Sequence, residues 1–358
     1  ALCMIPGGRL QDRYGAKLGA TLGGLFLAVG CVVAGLMKSY TGLLIGFGLL
    51  GGIGMGLGYA AATPAAVKWF HSSRRGLIVG LVVAGYGAAA VYISPLADYL
   101  IRSYGLTGSF VGLGALFAVV VVVAARLLNP PPAGYTPQVD VEEKNQGIDA
   151  PRSPSPDFTA SQMLGTWQFY LLVFLFVGSA QSGLLVIAKA KSFLSEAAEK
   201  DGFFAANAWL LVTFVGVVNA LGRVGTGRYS DRIGRLNAYA LNGLVSAACL
   251  AAMPWVLAEK SVPLLFAVIG VMAWQYGGTL AVMPAVTADF YGARNLGLNY
   301  GLVFLGWGLA FFVPQAAGVL KNTTNSWDAA FYLSSGLLVA AVLASRTTRK
   351  PVPPAAVT

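Results

Sequence analysis

The chain has 358 residues, of which 56% are hydrophobic and only 11% are charged, and its formal net charge is +10. Soluble domains carry roughly 25% charged residues, so this composition indicates a protein embedded in lipid rather than a soluble one. With one histidine and three cysteines, the chain lacks the ligand clusters of a metal centre, and we expect neither a metal nor a cofactor.

The chain begins with the apolar segment ALCMIPGG, which we interpret as the end of a helix whose beginning is absent. Ten longer apolar runs follow, and each meets the requirement of about 20 residues for a helix that crosses a bilayer. They occupy residues 18–37, 42–67, 76–101, 105–128, 166–188, 203–227, 237–258, 262–287, 297–320 and 327–345. An all-α integral membrane protein is therefore predicted.

The polar stretch 129–162 separates the first four runs from the last six. It contains the segments NPPPAGYTP and SPSP and several acidic residues, which are typical of a solvated connector. We therefore predict an N-terminal helical bundle at 1–128, a cytoplasmic linker at 129–162, a C-terminal six-helix bundle at 163–345 and a cytoplasmic tail at 346–358.

Basic residues are distributed unequally between the two sides of the predicted membrane. Sixteen of the 24 Lys and Arg residues lie in segments on the side of Arg9, seven lie on the opposite side, and Arg223 lies within a span. The cytoplasmic segments of membrane proteins carry the excess of basic residues. We therefore expect both chain ends in the cytoplasm, location in a cell (inner) membrane, and no contact with nucleic acid.

One short polar loop occurs twice, 219 residues apart, as GRLQDRYGAK at Gly8–Lys17 and as GRYSDRIGRL at Gly227–Leu236. Five positions are identical in the two copies: Gly8 and Gly227, Arg9 and Arg228, Asp12 and Asp231, Arg13 and Arg232, Gly15 and Gly234. Each copy lies between apolar runs, which indicates two pseudo-symmetric halves, as in many secondary transporters. Because the second half has six spans, two helices are expected to be absent from the front of this chain.

The repeated loop resembles the signature found between the second and third helices of each half in the major facilitator superfamily. The resemblance implies a fold of two pseudo-symmetric six-helix bundles. It also implies a conformational latch formed by Gly8, Asp12, Arg13, Gly15, Gly227, Asp231, Arg232 and Gly234. The glycines would let helix ends approach, while each aspartate would face the N-terminus of a neighbouring helix and pair with the arginines. The alternative is that these charges only direct topology.

Arg223 is the one basic residue predicted inside a span. It lies five residues before Arg228, which places it about 7.5 Å deeper along the helix. A central arginine costs roughly 2.5–3.5 kcal/mol on insertion scales, and ionisable residues at this depth usually have a function. Depth alone leaves two interpretations open: the side chain extends to the cytoplasmic surface, or it faces a water-filled cavity.

Four segments carry a second resemblance: KWFHSSRRGLIVGLVVAGYG (Lys68–Gly87), MLGTWQFYLLVF (Met163–Phe174), NALGR (Asn219–Arg223) and ADFYGARNLGLNYG (Ala288–Gly301). They resemble the oxalate/formate antiporter branch and related bacterial lactate carriers. In that branch the arginine that matches Arg223 binds the substrate carboxylate, and tyrosines that match Tyr59, Tyr86 and Tyr276 line the substrate cavity. A guanidinium suits this role because it offers two parallel donors to one carboxylate.

At two positions the chain differs from these carrier families, and the differences bear on the substrate class and on proton uptake. Trp307 occupies the position, seven residues after the tyrosine of NYG, where oxalate carriers have a lysine, and a single cation favours a monocarboxylate over a dianion. Asn219 stands where animal monocarboxylate carriers have an aspartate; it can hydrogen-bond to Arg223 one turn away but cannot titrate. The predicted substrate site consists of Arg223, Asn219, Tyr59, Tyr86, Tyr276 and Trp307.

We predict a secondary active transporter, not an enzyme, that moves a small monocarboxylate such as lactate, pyruvate or formate by alternating access. Its expected partners are that carboxylate, a proton or counter-anion, and the lipid bilayer, and it is expected to be monomeric. The alternatives are an oxalate/formate-type exchanger, a facilitator carrier of another substrate class, and a non-transporting sensor with the same fold. Its single histidine cannot supply a catalytic cluster.

Overall fold

The computed structural model describes residues 1–132, 134–135, 137, 157–197, 202–207 and 209–352. These residues are mostly helical and include no strand. Ten of the helices are long and apolar enough to cross a membrane, which confirms the predicted all-α membrane class. Most of the predicted linker (residues 138–156) and the end of the predicted tail (residues 353–358) lie outside the described part of the chain.

Five helices form the first half, and the first of them is shorter than a membrane span. They are α1 (Met4–Tyr14), α2 (Ala16–Met37), α3 (Tyr40–Val67), α4 (residues 75–104) and α5 (residues 106–125). A π-helical stretch, Leu44–Leu50, lies inside α3. Helices α4 and α5 are separated only by Gly105, whose φ of 68° and ψ of 179° are not helical.

Six membrane-crossing helices form the second half. They are α6 (Trp167–Ala197), α7 (Trp209–Ile233), α8 (Arg235–Ala258), α9 (Val262–Tyr291), α10 (Leu296–Thr324) and α11 (Asp328–Thr347). The apolar run predicted at 203–227 differs from α7 at both ends. Phe203–Ala206 forms a separate short helix, and α7 continues beyond the apolar run into the polar signature.

The two signature copies are helical rather than loops, which corrects the prediction from sequence. In each copy a helix runs through the conserved aspartate and is interrupted at a single glycine. Gly15, with φ of 83°, separates α1 from α2, and Gly234, with φ of 91°, separates α7 from α8. Glycine adopts such positive φ values without the steric penalty that other residues incur. The last glycine of the signature is therefore the point at which the chain reverses.

The most extensive packing between the halves involves two helix pairs: α1 packs against α10, and α4 packs against α7. In both pairs, backbone meets backbone. A Cβ atom on Gly8 would overlap the carbonyl oxygen of Gly297, and one on Gly227 would overlap that of Gly76. Small residues allow membrane helices to approach this closely. Because Gly8 and Gly227 are equivalent in the repeat, the two contacts follow the same pseudo-twofold symmetry as the sequence.

Helix α9 lies at the centre of the second half, in contact with α6, α7 and α8. Its residues 275–288 are all buried. On α7, Gly222 faces the backbone of Trp274, and a Cβ atom at this glycine would overlap the carbonyl oxygen of Trp274. This contact lies within one half, so a rocking motion between the halves would not relieve a clash there.

We expect the Gly222→Ala substitution to destabilise the protein by about 1–3 kcal/mol, because the added methyl group must separate α7 from α9. The measurement is the thermal unfolding midpoint of the detergent-solubilised protein. Gly336→Ala in α11 is the matched control, because nothing lies within 4 Å of a Cβ atom at that position. Equal midpoints for the two variants would contradict this account of the packing.

Candidate functional site

Arg223 lies on α7 with its side chain turned into the contact between the halves. The residue is only 4% exposed. Its Nε donates to Oδ1 of Asn219 at 2.8 Å, and its Nη1 donates to the carbonyl oxygen of Val83 on α4 at 2.6 Å. The bond to Asn219 is the one expected from the one-turn spacing. The alternative in which Arg223 extends to the membrane surface is therefore wrong.

Both hydrogen-bond partners of Arg223 are neutral oxygens. A guanidinium has five N–H donors, and within the described part of the chain only one on Nε and one on Nη1 bind protein atoms. The remaining donors, including both on Nη2, are left for a ligand. A buried cation without an anionic partner favours an anion over a neutral solute, since an ionised group in a low-dielectric environment needs a counter-charge.

Aromatic side chains from both halves surround this guanidinium. Tyr59 on α3 and Tyr86 on α4 have ring centroids 4.8 Å apart. In the second half, Nε1 of Trp307 on α10 donates to the hydroxyl of Tyr276 on α9 at 3.0 Å. Arg223 lies near the hydroxyls of all three tyrosines. All six residues of the predicted substrate site are thus brought together.

Two further residues of α10 belong to this group and were missed from sequence. Phe304 stacks on Trp307 with ring centroids 5.3 Å apart, and its ring also lies 5.2 Å from that of Tyr59. Tyr300 is 1% exposed and packs against Phe304 at 5.7 Å. The signal was their spacing, because residues 300, 304 and 307 lie on one face of a helix that already carried a predicted site residue.

In the first signature copy, Asp12 reaches across to the second half. Its carboxylate accepts hydrogen bonds from the backbone N–H groups of Gly297 at 3.1 Å and Leu298 at 2.8 Å, in the first turn of α10. A helix N-terminus carries a partial positive charge that stabilises an anion. Burial raises the pKa of the Asp12 carboxyl, while the two amide donors and nearby Lys68 lower it.

In the second copy, Asp231 makes the equivalent contact in the opposite direction. It accepts from the backbone N–H groups of Gly76 and Leu77, both at 2.9 Å, in the first turn of α4. Arg235 stabilises the carboxylate of Asp231 through an ion pair at 2.5 Å.

A third charged residue, Asp289 at the end of α9, extends the cluster formed by Asp231 and Arg235. It pairs with Arg235 at 3.2 Å and with Arg75 at 2.6 Å. Arg75 starts α4, so the latter pair joins the two halves. The side chains of these residues are at most 14% exposed, and ion pairs this buried are less screened by salt than surface pairs.

The two arginines of the predicted latch take no part in these ion pairs. Arg13 and Arg232 are exposed, and neither forms an ion pair with Asp12 or Asp231 in the described structure. Arg235 pairs with the aspartate instead, and its counterpart in the first copy is an alanine. Among the described residues, no group of three or more His, Cys, Asp or Glu side chains is arranged to hold a metal ion.

Comparisons with known proteins point to one family. The model of the Major Facilitator Superfamily matches residues 1–259 and 204–358. The oxalate:formate antiporter of Oxalobacter formigenes is 26% identical over 330 residues, which cover 92% of this chain and 74% of that protein. Monocarboxylate transporter 12 of Rattus norvegicus is 27% identical over 382 residues, which cover 98% of this chain and 77% of that protein.

A solved structure has the same fold. The human organic anion transporter MFSD10 superposes with a TM-score of 0.70 and 18% identity, covering 96% of this chain and 80% of its own. At this identity the likeness concerns the architecture of the helices rather than the chemistry of the site.

Proposed function

The chain belongs to the Major Facilitator Superfamily, as its repeated signature predicted, and we propose that it moves a small organic anion by alternating access. The family and the relatives described above are transporters rather than enzymes. The observation that carries the proposal is the buried guanidinium of Arg223, which has neutral protein partners and unused donors. An anion is the ligand that such a group favours.

A monocarboxylate is the substrate class that this site supports best. Among the described residues, Arg223 is the one cation of the aromatic cluster. Trp307, where oxalate carriers have a lysine, donates its N–H to Tyr276. One cation balances one carboxylate, whereas a dianion would bring a second, uncompensated charge into a low-dielectric site. The names of two relatives, an oxalate:formate antiporter and a monocarboxylate transporter, agree with a small carboxylate.

The side chains beside Arg223 bear on whether transport is coupled to a proton. Its neighbour is the neutral Asn219, and the partly buried carboxylates described above, Asp12, Asp231 and Asp289, lie at helix ends on the proposed cytoplasmic side. Within the described residues, no carboxylate next to the guanidinium could take up a proton. This arrangement supports anion exchange, or cotransport in which the proton travels on the substrate or on a group outside the described residues.

We also propose that Asp12 and Asp231 act as latches that hold the halves together on the cytoplasmic side. Each aspartate binds the first turn of a helix in the opposite half. Alternating access requires these contacts to break when the site opens to the cytoplasm. The state described here would then be closed toward the cytoplasm.

The orientation and the assembly state complete the proposal. Both signature copies lie at the same end of the bundle and carry exposed basic side chains, among them Arg9, Arg13 and Arg232. This supports a location in the cell membrane with both chain ends in the cytoplasm. The substrate site is built from the helices of a single chain, in agreement with a monomeric transporter.

The central test is replacement of Arg223 in protein reconstituted into liposomes. We expect Arg223→Gln to lower the uptake of labelled pyruvate about 10- to 100-fold, since a charge-assisted hydrogen bond is worth about 1.5–3 kcal/mol. Arg223→Lys keeps the charge but loses the planar pair of donors, so its uptake should be intermediate. The exposed Arg232→Gln is the matched control and should transport normally. Undiminished uptake by Arg223→Gln would rule the proposal out.

The latch proposal is tested by access to a buried position from the cytoplasmic side. Val79 on α4 is fully buried, and a Val79→Cys variant without the native cysteines reports on opening through its reaction with a membrane-impermeant maleimide. We expect Asp231→Asn to react faster than Asp12→Asn, because it also loses the ion pair with Arg235. Asp98→Asn, from an exposed pair with Arg102, is the control. Labelling that neither latch variant accelerates would refute the role.

A further inference from the structure

A second repeated segment carries the helix starts that the two signature aspartates bind. Its copies, which align without a gap, are KWFHSSRRGLIVG (residues 68–80) and DFYGARNLGLNYG (residues 289–301). The backbone amides of residues 76 and 77 bind Asp231. The amides at the same positions of the other copy, 297 and 298, bind Asp12. The structure thus supports the alignment, and the two contacts between the halves can be compared position by position.

The charges at equivalent positions differ between the two contacts. In the second signature copy, Arg235 pairs with Asp231 at 2.5 Å and with Asp289 at 3.2 Å. The first copy has Ala16 at the position of Arg235 and Lys68 at the position of Asp289. Position 68 therefore carries the charge opposite to that of its equivalent, and the first contact lacks the arginine that holds the second together.

A cleft of about 310 Å³ lies beside the first contact. Its lining includes Gln11, Asp12, Ala16 and Lys68. Gln11 is only 3% exposed, and its Oε1 has no hydrogen-bond partner among the described residues. In the second copy the equivalent residue, Ser230, accepts a hydrogen bond from Arg235 at 2.8 Å. An acceptor that an arginine satisfies in one copy is therefore open to a cation in the other.

Lys68 is the cation available for this place. It directly follows α3, in the same half as Asp12, and its side chain is half-buried. Within the described part of the chain it forms no ion pair with Asp12 or with any other carboxylate. A lysine ammonium is a point charge on a flexible stem, so it can move within the cleft toward either Asp12 or Gln11.

In the state described here, the carboxylate of Asp12 binds the first turn of α10 instead, at 3.1 and 2.8 Å. That turn carries a partial positive charge, so it competes with the ammonium of Lys68 for one carboxylate. The turn belongs to the opposite half and leaves when the halves separate. Lys68 belongs to the same half as Asp12 and stays beside it, just as Arg235 stays beside Asp231.

We infer that Lys68 is the counter-charge that receives Asp12 when the cytoplasmic side opens, so that it stabilises the open state. The inference rests on the proposed latch and adds an element that opposes it. Without Lys68, opening would leave the carboxylate in the cleft with no partner, which is unfavourable. With it, the carboxylate exchanges one partner for another. The free energies of the two states then remain close enough for the protein to pass between them.

The test uses the Val79→Cys reporter described above, in inverted membrane vesicles. Lys68→Met removes the ammonium but keeps most of the apolar stem. It should slow labelling roughly twofold to fivefold, the range expected for one partly exposed ion pair, whereas Asp12→Asn should accelerate labelling. Lys68→Arg keeps the charge and should label at the unmodified rate. The matched control is Lys17→Met, at an exposed lysine that does not line the cleft, and it should have no effect.

A double variant distinguishes an effect through Asp12 from a general effect on folding. In the Asp12→Asn background, Lys68→Met should leave labelling unchanged, because the partner on which it acts has lost its charge. The thermal unfolding midpoint of Lys68→Met should equal that of Lys17→Met. Slower labelling could not result from partial unfolding, since unfolding would expose the reporter.

The outcomes separate this inference from the proposed latch. If Asp12→Asn accelerates labelling while Lys68→Met accelerates it or leaves it unchanged, the latch stands and the inference is wrong. Slowing by Lys68→Met that is equal with and without the Asp12 carboxylate would also overturn the inference, because the lysine would then act elsewhere. If neither Asp12→Asn nor Asp231→Asn accelerates labelling, the latch fails and the inference fails with it.

Discussion

A permanent positive charge at the contact between the two halves is the constraint on which the site depends. Arg223 is buried there, and the described structure offers it only the neutral oxygens of Asn219 and Val83. On insertion scales a central arginine costs roughly 2.5–3.5 kcal/mol, and neutral acceptors offset only part of that. If the site binds an anion as proposed, the bound anion would offset more, and the free energy that burial costs the empty protein would reappear as affinity for that anion.

The same guanidinium links binding to the contact between the halves. The carbonyl oxygen of Val83 reaches Arg223 because α4 presents glycines to α7 on either side of it. A Cβ atom at Gly87 would lie 3.0 Å from Oδ1 of Asn219, and one at Gly80 would overlap the carbonyl oxygen of Arg223. If Arg223 binds the substrate anion as proposed, an anion that displaces the carbonyl oxygen of Val83 from Nη1 would weaken this bond between the halves. Binding would then change the relative stability of the two states of the transporter, which is the requirement for coupling.

The sequence predicted those features whose physical cause lies within one short segment of the chain. The ten spans follow from apolar length, and the bond between Asn219 and Arg223 follows from one-turn spacing. It failed where the partner comes from another element. The carbonyl oxygen of Val83 that accepts from Arg223 is a backbone atom on a different helix, so no residue type in the sequence could indicate it. Arg235 was overlooked because its role depends on Asp289, which only the fold brings near. The burial of Tyr300 against Phe304 depends on packing that the sequence does not contain.

The single-residue breaks at Gly15 and Gly234 have a consequence for how this surface meets proteases. Proteolytic nicking favours flexible, exposed stretches of backbone at loop tips, and a helix that reverses at one left-handed glycine offers none. The arginines on either side of these breaks, such as Arg13 and Arg232, are exposed and chemically suited to trypsin. The folded chain should nevertheless resist cleavage at both connections, and digestion there would report that the helices on either side have come apart.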